Sequence, residues 1–301
     1  RDPVEGTFRG YTIRSMPPPS SGGVHLIQML QILELFPLAE WGHNSAKTIH
    51  HLTETMKRAY ADRSHYLGDP DYFEVPQGAL LSEEYRDLLV ASMNPDRPTP
   101  SKEIAPGELP PLESPQTTHF SIIDRAGNAV SNTYTLNFSF GSGIMAEGSG
   151  ILLNNEMDDF SAKPGVQNAY GLIGGEANAI APGRRMLSSM TPTLVLRNGE
   201  VYLATGSPGG SRIITTVLQV ILNSIEFGMN VAEAASAPRV HHQWLPDTLY
   251  IERGFPADTQ QLLREMGYTL TTDGTIGSVQ SIQRSPDGSL NGASDPRRSG
   301  G

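Results

Sequence analysis

The residues with the most chemical promise stand where the character of the chain changes. A polar, proline-rich stretch ends at Gln116, and Thr117-Thr118-His119-Phe120 opens an alternating segment that runs to Asp124. Gly127-Asn128 follows, then a second alternating segment from Ser131 to Asn137. A chain cut before Thr117 places on one residue a hydroxyl nucleophile and an α-amine of pKa roughly 8, which can serve as its base near neutral pH. No separate histidine is then needed. The segments read as strand, tight turn and strand. A five-residue loop from Asp124 to Asn128 makes the pairing symmetric about Ala126, which sets Thr135 opposite Thr117. A hydroxyl there can hold the rotamer of the nucleophile, the orienting role of the third member of a triad. Two threonines also face each other simply because such pairs suit strands, and spacing alone favours that plainer explanation.

Acyl transfer also needs donors for an oxyanion. Gly206-Ser207-Pro208-Gly209-Gly210, just before a helical pattern beginning near Ile213, supplies backbone amides that a ligand can approach closely at a helix N-terminus. It reads equally well as an ordinary strand-to-helix turn. No Gly-Lys-Ser/Thr follows, which disfavours a phosphate loop. Phe138-Ser139-Phe140-Gly141-Ser142-Gly143 lacks the Gly-x-Ser-x-Gly elbow of serine hydrolases. His50-His51 with Glu54 offers two metal ligands one turn apart without a third, and reads as a solvated helix face. Asp69-Pro70-Asp71 reads as a turn, and His241-His242-Gln243-Trp244 as a loop packed on the core.

The elements that must position these groups follow from composition and periodicity. With 301 residues, 38% hydrophobic and 18% charged, and with 31 Gly and 23 Pro, the chain can bury a large core and is rich in turns. The net charge of −10 and the lack of a Lys/Arg-dense run exclude the footprint of a nucleic-acid binder. The absence of cysteine removes disulfides, thiolate catalysis and zinc-thiolate sites together. The longest apolar run, around Val24 to Phe36, is interrupted by His25, Gln28, Gln31 and Glu34 and is too short to span a bilayer. The N-terminus has neither an initiator Met nor the layout of a signal peptide, and is expected to lie inside a longer or processed polypeptide.

Phe8 to Met16 predicts a strand. Pro17-Pro18-Pro19-Ser20-Ser21-Gly22-Gly23 ends it and opens a helix whose Leu26, Ile27, Leu30, Leu33 and Phe36 face the core. Ser45 caps a helix to about Ser64 with Ile49, Leu52, Met56 and Ala59 as its apolar stripe, and Ser82 starts a shorter one to about Met93. The seven prolines between Asn94 and Gln116 predict an exposed, flexible segment, a suitable place for a cut. Beyond Thr117, Asn198-Gly199 marks a hairpin. A buried helix carries Ile213, Val217, Val220, Ile221 and Ile225 and ends at Gly228. A short helix from Val231, a strand at Leu249 to Glu252, a helix from Ala257 to Met266, and strands near Tyr268 to Thr271 and Ser278 to Arg284 complete the pattern.

Five ordered motifs carry a resemblance. Pro17-Pro18-Pro19-Ser20-Ser21-Gly22-Gly23, Gln116-Thr117-Thr118-His119, Asn154-Asn155-Glu156-Met157-Asp158-Asp159-Phe160, Ser188-Ser189-Met190-Thr191-Pro192-Thr193 and Gly206-Ser207-Pro208-Gly209-Gly210-Ser211-Arg212 together resemble γ-glutamyltranspeptidase of the bacterial type. The resemblance covers essentially the whole chain but only the C-terminal half of that family's precursor. It implies an α+β fold, the four-layer αββα sandwich of N-terminal-nucleophile hydrolases, here without the N-terminal half of the large subunit. Residues 1–116 would be the end of the large subunit, with a flexible proline-rich part at 94–116, and residues 117–301 the small subunit. Self-cleavage between Gln116 and Thr117 would leave the two as a heterodimer.

By motif position, Thr117 resembles the nucleophile, Thr135 its orienting partner, and Gly209 and Gly210 the oxyanion hole. Asn137, Glu156 and Asp159 resemble the residues that hold the amino-acid end of the γ-glutamyl group, Asp159 through its ammonium. Ser188 and Ser189 resemble the hydroxyls that bind its α-carboxylate. Residues 164–175, with Tyr170 inside, resemble the lid that closes over bound glutamate. The implied substrates are glutathione and related γ-glutamyl compounds, with water, amino acids or dipeptides as acceptors. No cofactor, metal, nucleic acid or membrane span is implied, and the implied location is periplasmic or secreted.

One departure from the family pattern matters. The family's arginine for the α-carboxylate comes from a part of the precursor outside these 301 residues, so a raised KM and some exposed apolar surface are expected. A β-lactam (cephalosporin) acylase or a polyglutamate-releasing enzyme of the same fold is an alternative, as is a catalytically silent precursor or fragment.

Overall fold

A computed structural model describes residues 1–104, 117–161, 163, 166 and 174–298. The single strand expected over Phe8 to Met16 is in fact two, β1 (Val4–Phe8) and β2 (Tyr11–Ser15). Arg9 and Gly10 join them with φ of 49° and 81°. Positive φ at both central residues is the type I′ geometry, and an arginine in the first of them hides the usual Asn-Gly signal.

Helices α1 (Gly22–Leu33), α2 (Leu38–Trp41), α3 (Ala46–Tyr66), α4 (Gln77–Leu80) and α5 (Glu83–Ala91) follow. Two of the serine caps form as expected: Ser45 accepts the Thr48 amide and Ser82 the Tyr85 amide, each at 3.2 Å. The expectation of a solvated face at His50, His51 and Glu54 is overturned, because all three are buried. Helix α3 is packed by α1 on one side and by the later helix α8 (Ala257–Met266) on another, so its polar residues survive only as pairs. Glu54 meets Arg58 at 2.8 Å and Lys57 at 3.4 Å, and His50 bonds the Tyr268 hydroxyl at 2.8 Å and the Asn94 carbonyl at 2.7 Å.

Part of the proline-rich segment is docked. Residues 101–103 form a short 3-10 turn, and Trp244 Nε1 donates to the carbonyls of Ser101 at 2.8 Å and Ile104 at 3.0 Å. Residues 105–116 lie outside the described set.

The remaining elements are β3 (Thr118–Ile123), β4 (Ala129–Tyr134), β5 (Met145–Ala146), β6 (Ile151–Leu152), β7 (Thr193–Arg197), β8 (Glu200–Thr205), α6 (Arg212–Ile225), α7 (Val231–Ser236), β9 (Val240–His241), β10 (Leu249–Glu252), β11 (Leu270–Asp273), β12 (Gln280–Arg284) and β13 (Leu290–Ser294). Six strands form an antiparallel sheet in the order β1-β2-β7-β8-β12-β13, so segments on both sides of residues 105–116 share one sheet. Helix α1 packs on β1 and β2, α3 and α6 pack on α1, and the β3–β4 hairpin packs on β7, β8 and β12. The result is a sandwich of helices, a large sheet and a second, smaller sheet.

The core runs between α1, α3 and α6 and the large sheet, through residues such as Phe8, Ile13, Ile27, Val195, Leu203 and Val217. The hairpin is apolar on its outer side as well: Ile122, Val130 and Tyr134 are about half exposed. Among the described residues no helix is long and apolar enough to cross a membrane, and no cluster of three or more candidate metal ligands occurs.

Candidate active site

The hairpin register is the symmetric one. Thr118 pairs with Tyr134, Phe120 with Asn132 and Ile123 with Ala129, and the loop closes through Asp124, whose amide donates to the Asn128 carbonyl at 2.9 Å. Thr117, one residue before β3, therefore sits against Thr135, one residue after β4. Thr117 Oγ1 donates to Thr135 Oγ1 at 3.4 Å, at the long end of hydroxyl hydrogen bonds. The acceptor is fixed from behind, because the Asn137 amide donates to the same Thr135 oxygen at 2.8 Å.

Asn137 has φ of 73°, a left-handed conformation that asparagine tolerates better than most residues. That turn sends the chain away from the strand. Asn155 then ties it down by donating its amide to Leu136 O at 3.1 Å and accepting the Phe138 amide at 3.0 Å. The 3-10 turn Glu156–Asp159 is thereby carried to the mouth of the hairpin.

Asp159 is the most perturbed acid there. Its pKa is raised to about 7, first by burial and then by the nearby Glu156, with Arg63 opposing both. Burial pushes Glu156 up as well. Two carboxylates in poor solvent, with one guanidinium nearby, form an environment that favours an incoming cation.

The opposite wall carries hydroxyls and amides. Ser188 Oγ accepts the Met190 amide at 3.0 Å, which leaves its own proton available to the cleft. Gly209 and Gly210, with φ of 140° and 55°, lead into α6, and among the described residues neither amide is taken up by a backbone acceptor. Gly206 is required by close approach, since a Cβ there would meet the His119 ring at 2.2 Å. That histidine is not a base for Thr117. Its ring nitrogens engage Thr133 Oγ1 at 2.8 Å and Ser121 Oγ at 3.1 Å, and burial pulls its pKa down to about 4.

Thr117, Thr135, Asn137, Asp159, Ser188, Ser189 and Gly210 line one narrow cleft, together with Met190, Ser211 and Ile213. Gly209 and Glu156 stand beside it rather than on its lining. Gln116 and Tyr170 lie outside the described residues, as does most of the expected lid. The residue that motif reading passed over is Arg63. It falls one turn after Ala59, on the apolar stripe of α3, and an arginine in such a stripe is the available signal of a buried cation. Its side chain is buried, and its guanidinium donates to Ser189 Oγ at 3.1 Å.

The gamma-glutamyltranspeptidase family model matches residues 1–301. The chain is 57% identical over 297 residues to the glutathione hydrolase proenzyme of Escherichia coli (strain K12), a match that covers 99% of this chain and 51% of that protein. Among solved structures, a mutant gamma-glutamyltranspeptidase of Helicobacter pylori is 58% identical with a TM-score of 0.59, over 60% of this chain and 100% of that one. A cephalosporin acylase from Bacillus halodurans is 28% identical with a TM-score of 0.81, over 98% of this chain and 51% of that one. The chain thus spans about half the length of the curated relatives it matches. Its fold is the α+β sandwich of N-terminal-nucleophile hydrolases.

Proposed function

The chain belongs to the gamma-glutamyltranspeptidase family, and on that footing we propose that Thr117 is the nucleophile of a γ-glutamyl transferase and hydrolase acting on glutathione and related γ-glutamyl compounds. The observation that carries this is the convergence, in one cleft, of a paired threonine hydroxyl, an acid of raised pKa, two serine hydroxyls and a glycine at a helix N-terminus. An acyl group bearing an ammonium and a carboxylate is complementary to that wall.

Maturation breaks the Gln116–Thr117 bond and frees the Thr117 α-amine, leaving residues 1–116 as the end of the large subunit and residues 117–301 as the small subunit. The amine takes the hydroxyl proton as Oγ1 adds to the γ-carbonyl, and the Gly209 and Gly210 amides hold the oxyanion. Thr135 fixes the rotamer of the nucleophile. Asp159, with Asn137 and Glu156 behind it, receives the ammonium, and Ser188 and Ser189 receive the α-carboxylate. Collapse expels the leaving amine, which takes the proton back, and leaves a γ-glutamyl ester on Thr117. Water or an acceptor amine then attacks the ester. Its proton passes to the α-amine and from there to Thr117 Oγ1 as the ester bond breaks, and glutamate or a new γ-glutamyl product departs.

Mass spectrometry of the full-length protein with γ-glutamyl-p-nitroanilide tests this. The expected result is a chain ending at Gln116, a second beginning at Thr117, and a transient glutamyl adduct on the Thr117 peptide. Thr117→Ala is expected to stop both cleavage and turnover, and normal cleavage in that variant refutes the mechanism. The likeness to the cephalosporin acylase supports a second reading. Turnover of glutaryl but not γ-glutamyl substrates decides for it, whereas an intact chain without adduct decides for a silent precursor.

A further inference from the structure

Between the acid and the serines of the cleft stands an asparagine that the proposed chemistry does not use. Asn178 closes the 3-10 turn Glu176–Asn178, and its side chain is buried. Its Nδ2 donates to the Asp159 carbonyl at 2.7 Å, and its Oδ1 accepts the Leu187 amide at 2.9 Å. The first bond grips the main chain of the cleft acid itself, and the second grips the residue before Ser188. A carbonyl can only accept and an amide N–H can only donate, so the two bonds call for a donor and an acceptor on one short group. Asparagine supplies both from a single planar amide, whereas the near-isosteric aspartate, when ionised, has no donor to give.

The asparagine is itself held. Its own amide donates to the Gly175 carbonyl at 3.2 Å, and its carbonyl accepts the Ser161 amide at 2.9 Å beside a parallel bridge that pairs Ser161 with Ala179. The Gly175 amide donates to Ser64 O, near the end of α3, at 2.7 Å. The turn also lies hard against the chain just beyond α3, where a Cβ on Gly68 would collide with the Ala177 carbonyl. The serine segment is pinned from its other side by the Pro17-to-Gly23 loop: the Ser188 amide donates to Pro19 O at 3.0 Å, and the Ser21 amide donates to Ser188 O at 2.9 Å. Asn178 thus ties the acid-bearing turn to the serine-bearing segment at their roots, and the span of its amide sets how far apart they stand. A ligand that touches one wall gains little from such a tie. A ligand that touches both gains much more, because the spacing it needs is in place before it binds.

We propose that Asn178 is a positioning residue that fixes the spacing between the ammonium-binding and carboxylate-binding walls of the cleft, and so selects acyl groups that carry both charges on one carbon. This deepens the γ-glutamyl reading and rests on it.

Three ligands test the proposal: L-glutamate, with both α-groups, 4-aminobutanoate, without the α-carboxylate, and glutarate, without the ammonium. Their affinities for the full-length protein are read by ligand-observed NMR titration, in wild type and in Asn178→Ala. The substitution is expected to weaken glutamate by about threefold to tenfold and to leave both one-group ligands within about twofold. The KM for γ-glutamyl-p-nitroanilide is expected to rise by the same factor as glutamate affinity falls, with kcat within about threefold.

Equal losses for all three ligands, or an unchanged glutamate affinity, would assign Asn178 to the fold alone and overturn the proposal. Asn178→Ser keeps a polar group in the pocket but is too short to bond both partners. It carries the same expectation should Asn178→Ala fail to fold, and failure of both variants to fold overturns the proposal as well. Wild-type protein that prefers glutamate to both one-group ligands but turns over no γ-glutamyl compound defeats the reading of the reaction, while the role of Asn178 is still decided by the variants. Wild-type protein that binds the three ligands alike defeats the reading of the cleft, and the spacing role falls with it.

Discussion

Two buried charge clusters in this molecule are built on opposite rules. In the first, Arg239 and Asp295 meet at 2.8 Å, Arg297 and Asp295 at 3.0 Å, and Arg297 and Glu252 at 2.5 Å. Backbone amides complete it, with Ile276 donating to Glu252 at 2.7 Å and Val279 to Asp295 at 3.0 Å. The Asp295 carboxyl is held below the usual range by its two arginines, against the effect of burial. In the second, at the cleft, Asp159 and Glu156 crowd together, Asp159 is pushed up to about 7, and Arg63 rests on hydroxyls. Where the chain supplies every counter-charge, the cluster holds the fold together. Where charges of both signs face a cleft without a direct ion pair, as at Asp159 and Arg63, the arrangement suits a binding site better than a brace.

Substitutions at the two acids sharpen this contrast. Asp295→Asn strands the buried Arg239 and leaves Arg297 with Glu252 alone, and is expected to cost about 3–5 kcal/mol of stability, read by denaturant melts, while kcat/KM of the folded fraction is unchanged. Asp159→Asn is expected to do the reverse, lowering kcat/KM for γ-glutamyl-p-nitroanilide by about 10²–10³-fold without lowering stability. A stability loss at Asp159 as large as that at Asp295 breaks the contrast.

The pH dependences should oppose each other too. Asp295 has a depressed pKa in the folded state, so its contribution is present above the ordinary aspartate value of about 4 and is lost as pH falls below it. Asp159 is raised to about 7. The folded protein therefore binds a proton there that the unfolded chain lacks between about 4 and 7, and the ligand-free protein gains stability from this group as pH falls through that window. The same protonation removes the anion that holds an ammonium, so glutamate affinity is expected to fall by up to about tenfold per unit below pH 7. Asp159→Asn should abolish that limb. The smallest effect is a control: Arg14 and Glu5 meet at 2.6 Å, but both side chains are about half exposed. Glu5→Gln is expected to change stability by less than about 0.5 kcal/mol.

Much of the site was legible because its signals are local. Symmetry about Ala126 set Thr135 against Thr117, and the run Gly206 to Gly210 placed amides at the start of α6. The Arg9-Gly10 turn was hidden because arginine is a rare occupant of a left-handed position. His50, His51 and Glu54 were misread because periodicity reports one apolar face and cannot tell that α3 is covered on its other sides.

The sequence alone singled out Thr117 as a candidate nucleophile, set Thr135 opposite it and placed a glycine turn before a helix, since residue types and short-range register carry these, while the candidate polar residues came with the family resemblance. Only the tertiary structure decided how these residues are held. Hydrogen bonds between distant segments appear in no local pattern, so it took the packing of α3 against the Pro17-to-Gly23 loop to reveal Arg63 behind Ser189. The raised pKa of Asp159 likewise comes from burial and from Glu156, with Arg63 opposing them, an environment that exists only once the chain has folded.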